Sequence, residues 1–276
     1  MTWPCCWTPT ATSTATRAWR RSCDAIDANV TTIAVTELPS AYQRLSMLLG
    51  SRPQVHVALG IHPLRAAGAS ALELRLFDRL IDQALWVGEV GLDFSRAGAA
   101  TRDRQLRVFE RILGHPRIDR KVLSVHSRGA ERETIAMLAE TRLTAVLHWY
   151  SGPVGLLDDA LAAGLYFSIN PAMLASKAGT RVIAALPRDR VLVETDGPHT
   201  KIGNQLARPA DLPRIARDLA GAWGMPYDDT QRLLADNSRA LLDSVSAGRR
   251  PDARQRVRPP RRARAGGAPA QSTLAV

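Results

Sequence analysis

Residues 85–93 read LWVGEVGLD. The run is apolar without strict alternation, as expected of a strand buried on both faces of a parallel sheet, and it ends in polar residues. Six more runs of this kind surround it: TTIAV (31–35), VHVALG (55–60), KVLSVH (121–126), TAVLHW (144–149), LYFSI (165–169) and VLVET (191–195). Amphipathic stretches separate them, such as ALELRLFDRLID (71–82) and RDRQLRVFERIL (102–113). In the second, Leu106, Phe109, Ile112 and Leu113 recur at helical spacing. ADLPRIARDLAGAWG (210–224) and DDTQRLLADNSRALLDSV (228–245) close the domain, each with Asp near its start in the position of a cap. Such strand–helix alternation predicts an α/β fold on a parallel sheet. Seven strands are one short of a closed (β/α)8 TIM barrel, and the missing one belongs before TTIAV.

The 276 residues suffice for one such barrel, and a 45% hydrophobic share fits a globular protein. No apolar run approaches the ~20 residues of a membrane helix, and no basic segment leads into an apolar one at the start. A cytoplasmic protein with no membrane partner is expected. Cys5, Cys6 and Cys23 lack metal-binding spacing and cannot all pair, so they read as reduced thiols. The net charge of +11 is concentrated at the ends: residues 249–276 hold eight Arg against one Asp, and residues 1–22 hold three Arg and no acid. Between them, 26 basic and 25 acidic residues nearly cancel, so a globally basic groove is not indicated. Three segments follow: an aberrant start (1–22), a barrel (23–246) and an Arg/Pro-rich tail (247–276) whose composition predicts disorder.

The informative residues stand at strand C-termini, in GIHP (60–63), GEVGLD (88–93), VHSR (125–128), LHWYSG (147–152) and ETDGPH (194–199). In a (β/α)8 barrel these ends converge on the face where active sites are built. His62, Glu89, His126, His148 and Asp196 are therefore expected in one space. Imidazoles with carboxylates suit divalent cations bound through N and O, and a carboxylate can bridge two of them. No G-x-S-x-G occurs, and no Cys lies near a His at these ends. His56, His115 and His199 read as structural or exposed.

These motifs resemble the TatD-type metal-dependent deoxyribonucleases of the amidohydrolase superfamily. HWYSG, FSINPAML and LPRDRVLVETDGP look most like the TatD-like nuclease of Qat anti-phage systems. The resemblance spans about residues 23–243. It implies phosphodiester hydrolysis, often exonucleolytic on single-stranded DNA, with two divalent cations (Mg2+, Mn2+ or Zn2+), and it allows protein partners in a defence complex. Glu89 matches the family's metal-bridging glutamate, and His126 and His148 match the histidines of the second cation. Asp196 matches a metal ligand that also orients or deprotonates the attacking water. His62 matches the histidine near the scissile phosphate. Arg128, Asp93 and Asn170 match lesser positions that contact substrate or support the ligands.

One departure bears on competence. The family begins with a strand ending in His-x-His, which supplies two ligands to the first cation, and this chain contains no H-x-H. Read one base back, Cys5–Cys6 and Cys6–Trp7 must encode Leu, and Trp7–Thr8 must encode Asp. The next four codons permit Thr-His-Cys-His. The start is therefore expected to be out-of-frame translation that overwrites strand one and leaves one metal site incomplete. Two other functions compete. A small-molecule amidohydrolase commonly carries a metal-bridging carboxylated Lys, but Lys121 sits at the wrong end of its strand. A non-catalytic barrel subunit would follow if the N-terminus is authentic.

Overall fold

The computed structural model describes residues 30–50 and 52–246. Seven parallel strands run in chain order: β1 (Thr32–Ala34), β2 (Val55–Val57), β3 (Trp86–Gly91), β4 (Val122–His126), β5 (Thr144–His148), β6 (Tyr166–Ile169) and β7 (Val191–Val193). Each lies inside one of the seven apolar runs. β1 pairs with β2, and β3 to β7 pair successively. The gap between β2 and β3 is bridged where Leu59 N–H donates to Trp86 O (3.0 Å) and Gly88 N–H to Leu59 O (3.0 Å). The expected helices form at Ala71–Leu80, Arg102–Leu113, Leu212–Trp223 and Tyr227–Ser246. Asp211 does not cap the helix that follows it; its carboxylate accepts from Arg208 N–H (2.8 Å), one turn earlier. A short hairpin, Lys201–Ile202 with Gln205–Leu206, lies beyond β7 where no strand is expected from the sequence.

Two apolar layers sort the strand residues by parity. Leu123, Val125, Ala145, Leu147, Phe167, Ile169, Val191 and Val193 pack with the helices. Their neighbours in sequence, Val122, Val146, Tyr166 and Leu192, cluster instead with Ile33, Ala58 and Trp86. That second cluster holds residues of β1 and of β3 to β7, with Ala58 at the end of β2, so the first and last strands share one interior. An open sheet with strands ~4.8 Å apart would hold its edges far from each other. The sheet is curled into a barrel, and Leu241 of the last helix joins this interior cluster. Along the inward-facing positions the lower residues are apolar and the upper ones polar: Val122, Ser124, His126; Val146, His148; Tyr166, Ser168, Asn170; Leu192, Glu194, Asp196. No helix of the described residues is long and apolar enough to cross a membrane.

Candidate metal-dependent active site

The polar ends of these inward columns meet at the C-terminal mouth. Thr36, just past β1, ties the first side together: its N–H donates to Gly88 O (3.0 Å), its carbonyl accepts from Glu89 N–H (3.1 Å), and its hydroxyl donates to Ala58 O (2.8 Å). Gly60 is wedged into this junction. A Cβ there would stand 1.9 Å from Thr36 O and 2.5 Å from Glu89 N, so only glycine fits. His62 follows as N-cap of the turn Pro63–Ala66, its Nδ1 accepting from Leu64 N–H (3.1 Å). The neutral ring therefore carries its proton on Nε2, which faces Glu89 Oε1 at 3.6 Å. In this tautomer the Nε2 proton of His62 faces Glu89.

Glu89 is the centre of the cluster. Its Oε1 lies 2.7 Å from His126 Nδ1 and 3.4 Å from His148 Nε2, and the same His148 nitrogen is 3.8 Å from Asp196 Oδ1. His126 Nε2 binds Asp93 Oδ2 at 2.9 Å, and Asp93 Oδ1 accepts from Ser95 N–H (2.9 Å). The structure thus unites His62, Glu89, His126, His148 and Asp196. It places Asp93 against His126, and Asn170 next to Glu194 (Nδ2 to Oε1, 3.1 Å). Arg128 is exposed; its carbonyl accepts from Phe94 N–H (2.9 Å), and among the described residues no contact joins its side chain to the cluster.

Charge follows geometry. Burial opposes ionisation of Glu89, but His148, His62 and His126 outweigh it and hold the carboxyl well below the usual range. Burial also works against charge on His126, yet the bonds to Asp93 and Glu89 lift it to about 9; burial opposes ionisation of Asp93 too, but His126 and Ser95 pull it down to about 2. Burial lowers His62. Asp196 is raised well above the ordinary aspartate value by burial and by Glu194 and Glu89, with His148 opposing.

The donor set fits divalent cations. Nitrogen and oxygen ligands bound at ~2.1 Å in a tetrahedron stand about 3.4 Å apart, the spacing found between His148 Nε2 and Glu89 Oε1. One ligand atom from each of His62, Glu89 and His126 falls within a 4.8 Å span. The 2.7 Å contact of His126 with Glu89 is too short for two ligands of one tetrahedral cation and is a hydrogen bond.

Glu194 is the residue that motif reading passed over. It is fully buried two positions before Asp196 on the same inward column. Its Oε2 binds His148 Nδ1 (2.9 Å) and the Ser168 hydroxyl, and its Oε1 accepts from Trp149 N–H (3.1 Å) and Asn170. A charged residue inside an apolar run was the available signal. Trp149 and Asp196 hold positive φ (41° and 46°), uncommon for such residues and concentrated here at the mouth. Lys121 lies at the opposite end of β4, its ammonium bound to Ala84 O (2.6 Å), so it does not bridge this site. His56 and His199 are exposed, and His115 caps a turn by accepting from Arg117 N–H (3.2 Å).

A family model described as TatD related DNase matches residues 14–243, reaching into the segment read above as out of frame. A 3'-5' ssDNA/RNA exonuclease TatD of Dickeya dadantii is 32% identical over 198 residues, covering 66% of this chain and 75% of that protein. Human deoxyribonuclease TATDN3 is 27% identical over 236 residues, covering 78% and 85% respectively. The crystal structure of a TatD homologue from Escherichia coli K12 superposes with a TM-score of 0.76 at 21% identity, over 87% of this chain and 97% of the other.

Proposed function

Because this chain belongs to the TatD-related DNase family, we propose that it hydrolyses phosphodiester bonds of single-stranded DNA at the mouth formed by Glu89, His148 and Asp196. A metal-dependent ester hydrolase on a (β/α)8 barrel is the common ground of the family. The observation that carries the substrate reading is a donor set of N and O atoms beside a histidine whose proton faces the same space. The Dickeya relative, named for action on ssDNA and RNA, supports single-stranded nucleic acid.

Glu89, His148 and Asp196 would hold a divalent cation, with His126 joining them once its proton is displaced. When bound there, Mg2+, Mn2+ or Zn2+ would neutralise charge at the phosphate and lower the pKa of a water. His62 Nε2–H donates to a non-bridging phosphate oxygen. Asp196, made more basic than an ordinary aspartate by burial and by the nearby Glu194 and Glu89, would accept the proton of the attacking water. Arg128, exposed beside the mouth, contacts the backbone of the incoming strand.

Competence is reduced in this chain because the His-x-His pair is absent, and residues 1–22, which lie outside the described residues, are out-of-frame translation. A cytoplasmic role in anti-phage defence with protein partners is part of this proposal, supported by the resemblance of HWYSG, FSINPAML and LPRDRVLVETDGP to the Qat nuclease. The test compares this chain with one restored to Leu-Leu-Asp-Thr-His-Cys-His, on end-labelled single-stranded DNA with Mn2+ and with chelator. Cleavage that needs the metal and rises in the restored chain is expected. Equal activity of the two chains, or cleavage with chelator present, would overturn it. Codons at Pro9–Thr10 and Ala11–Thr12 that cannot shift to CAY would sink the frame reading.

A further inference from the structure

We infer that Glu194 is a positioning residue that presents His148 to the cation through Nε2; this rests on the metal-site reading above. A carboxylate only accepts hydrogen bonds, and it has about four lone-pair sites. All four are used: His148 Nδ1, the Ser168 hydroxyl, Trp149 N–H and Asn170 Nδ2. Because Glu194 can only accept, His148 must place a proton on Nδ1. The neutral ring then leaves Nε2 with a lone pair, and that nitrogen faces Glu89 Oε1 (3.4 Å) and Asp196 Oδ1 (3.8 Å). The second carboxylate oxygen pins the backbone directly after His148, at the positive-φ Trp149. Ser168 and Asn170 come from β6 and its end, so one buried side chain joins three successive strands at the level of the mouth.

Its charge, and not merely its volume, is what the arrangement requires. In Glu194→Gln the amide oxygen can satisfy Trp149 and Asn170, but the amide nitrogen then donates toward His148 Nδ1. The proton of the ring moves to Nε2, where it blocks a cation. Glu194→Asp keeps the charge at shorter reach and should recover part of the loss.

The test uses the full chain freed of metal. Histidine 15N spectra, at a pH where imidazoles are neutral, should show His148 protonated on Nδ1 in the parent and on Nε2 in Glu194→Gln. Calorimetric titration with Mn2+ should show affinity lower by about 10- to 100-fold in Glu194→Gln, with Glu194→Asp in between. An unchanged tautomer, or parent-like Mn2+ affinity with a shifted tautomer, overturns the inference. If the parent itself takes up no Mn2+, the metal-site reading fails, and the spectra alone then decide whether Glu194 sets the tautomer. A melting temperature of Glu194→Gln within a few degrees of the parent separates positioning from general unfolding.

Discussion

Asp196 combines burial, a positive φ and a raised pKa, and its Oδ1 lies 3.8 Å from His148 Nε2. In its proposed role as proton acceptor for the attacking water it should be worth about 10²- to 10⁴-fold in kcat. Asp196→Asn in the frame-restored protein is expected to lose that much in steady-state cleavage of single-stranded DNA. His126 makes a second prediction. Its folded pKa of about 9 lies above the ordinary value of 6.5, so its contribution to stability is complete below pH 6.5 and lost as pH rises through 9. The difference is of the order of 3 kcal/mol. Melting of the metal-free protein should fall across that window, and His126→Asn should flatten the profile. The chemistry of these residues was legible in the sequence because each stands at the end of an apolar run. Glu194 gave only a charge inside an apolar run, and nothing local distinguishes a buried carboxylate that holds a histidine from one that holds a cation.

Strands and turns set where these residues stand. Gly60 lets the β2 end close against Thr36 and the Gly88–Glu89 peptide, and a methyl group there has no room. Gly60→Ala should cost about 1–3 kcal/mol in denaturant unfolding, and by moving Glu89 it should weaken Mn2+ binding as well. Ser70 caps the helix Ala71–Leu80 by accepting from Glu73 N–H (3.2 Å), and Glu73 reaches away to Ser40 N–H (3.1 Å). Ser70→Ala should lower stability by about 1 kcal/mol in the same assay and leave the metal affinity alone. All seven strands were legible, because runs buried on both faces carry a strong apolar signal. Which face of each run points inward was hidden for that same reason, and it emerges only where Ser, His, Glu and Asp replace the apolar residues near the mouth. The hairpin at 201–206 escaped because two-residue strands carry no periodicity.

For the molecule as a whole, closure rests on an interior cluster fed by strands from β1 to β7 and completed by Leu241, which is fully buried. Leu241→Ala should destabilise the barrel by about 2–5 kcal/mol, read as a lower melting temperature. Residues 1–22 lie outside the described residues, and their proposed out-of-frame origin is decided by the gene and by the restored chain. The amino-acid sequence by itself determined the fold class, the seven strands and the five residues of the mouth, because burial and hydrogen bonding act locally along each run. Only the tertiary structure decided how those residues meet. Curling the sheet brings His148 Nε2 to 3.4 Å from Glu89 and 3.8 Å from Asp196 and sets Glu194 against His148, distances fixed by strand register and barrel closure rather than by neighbours in the chain.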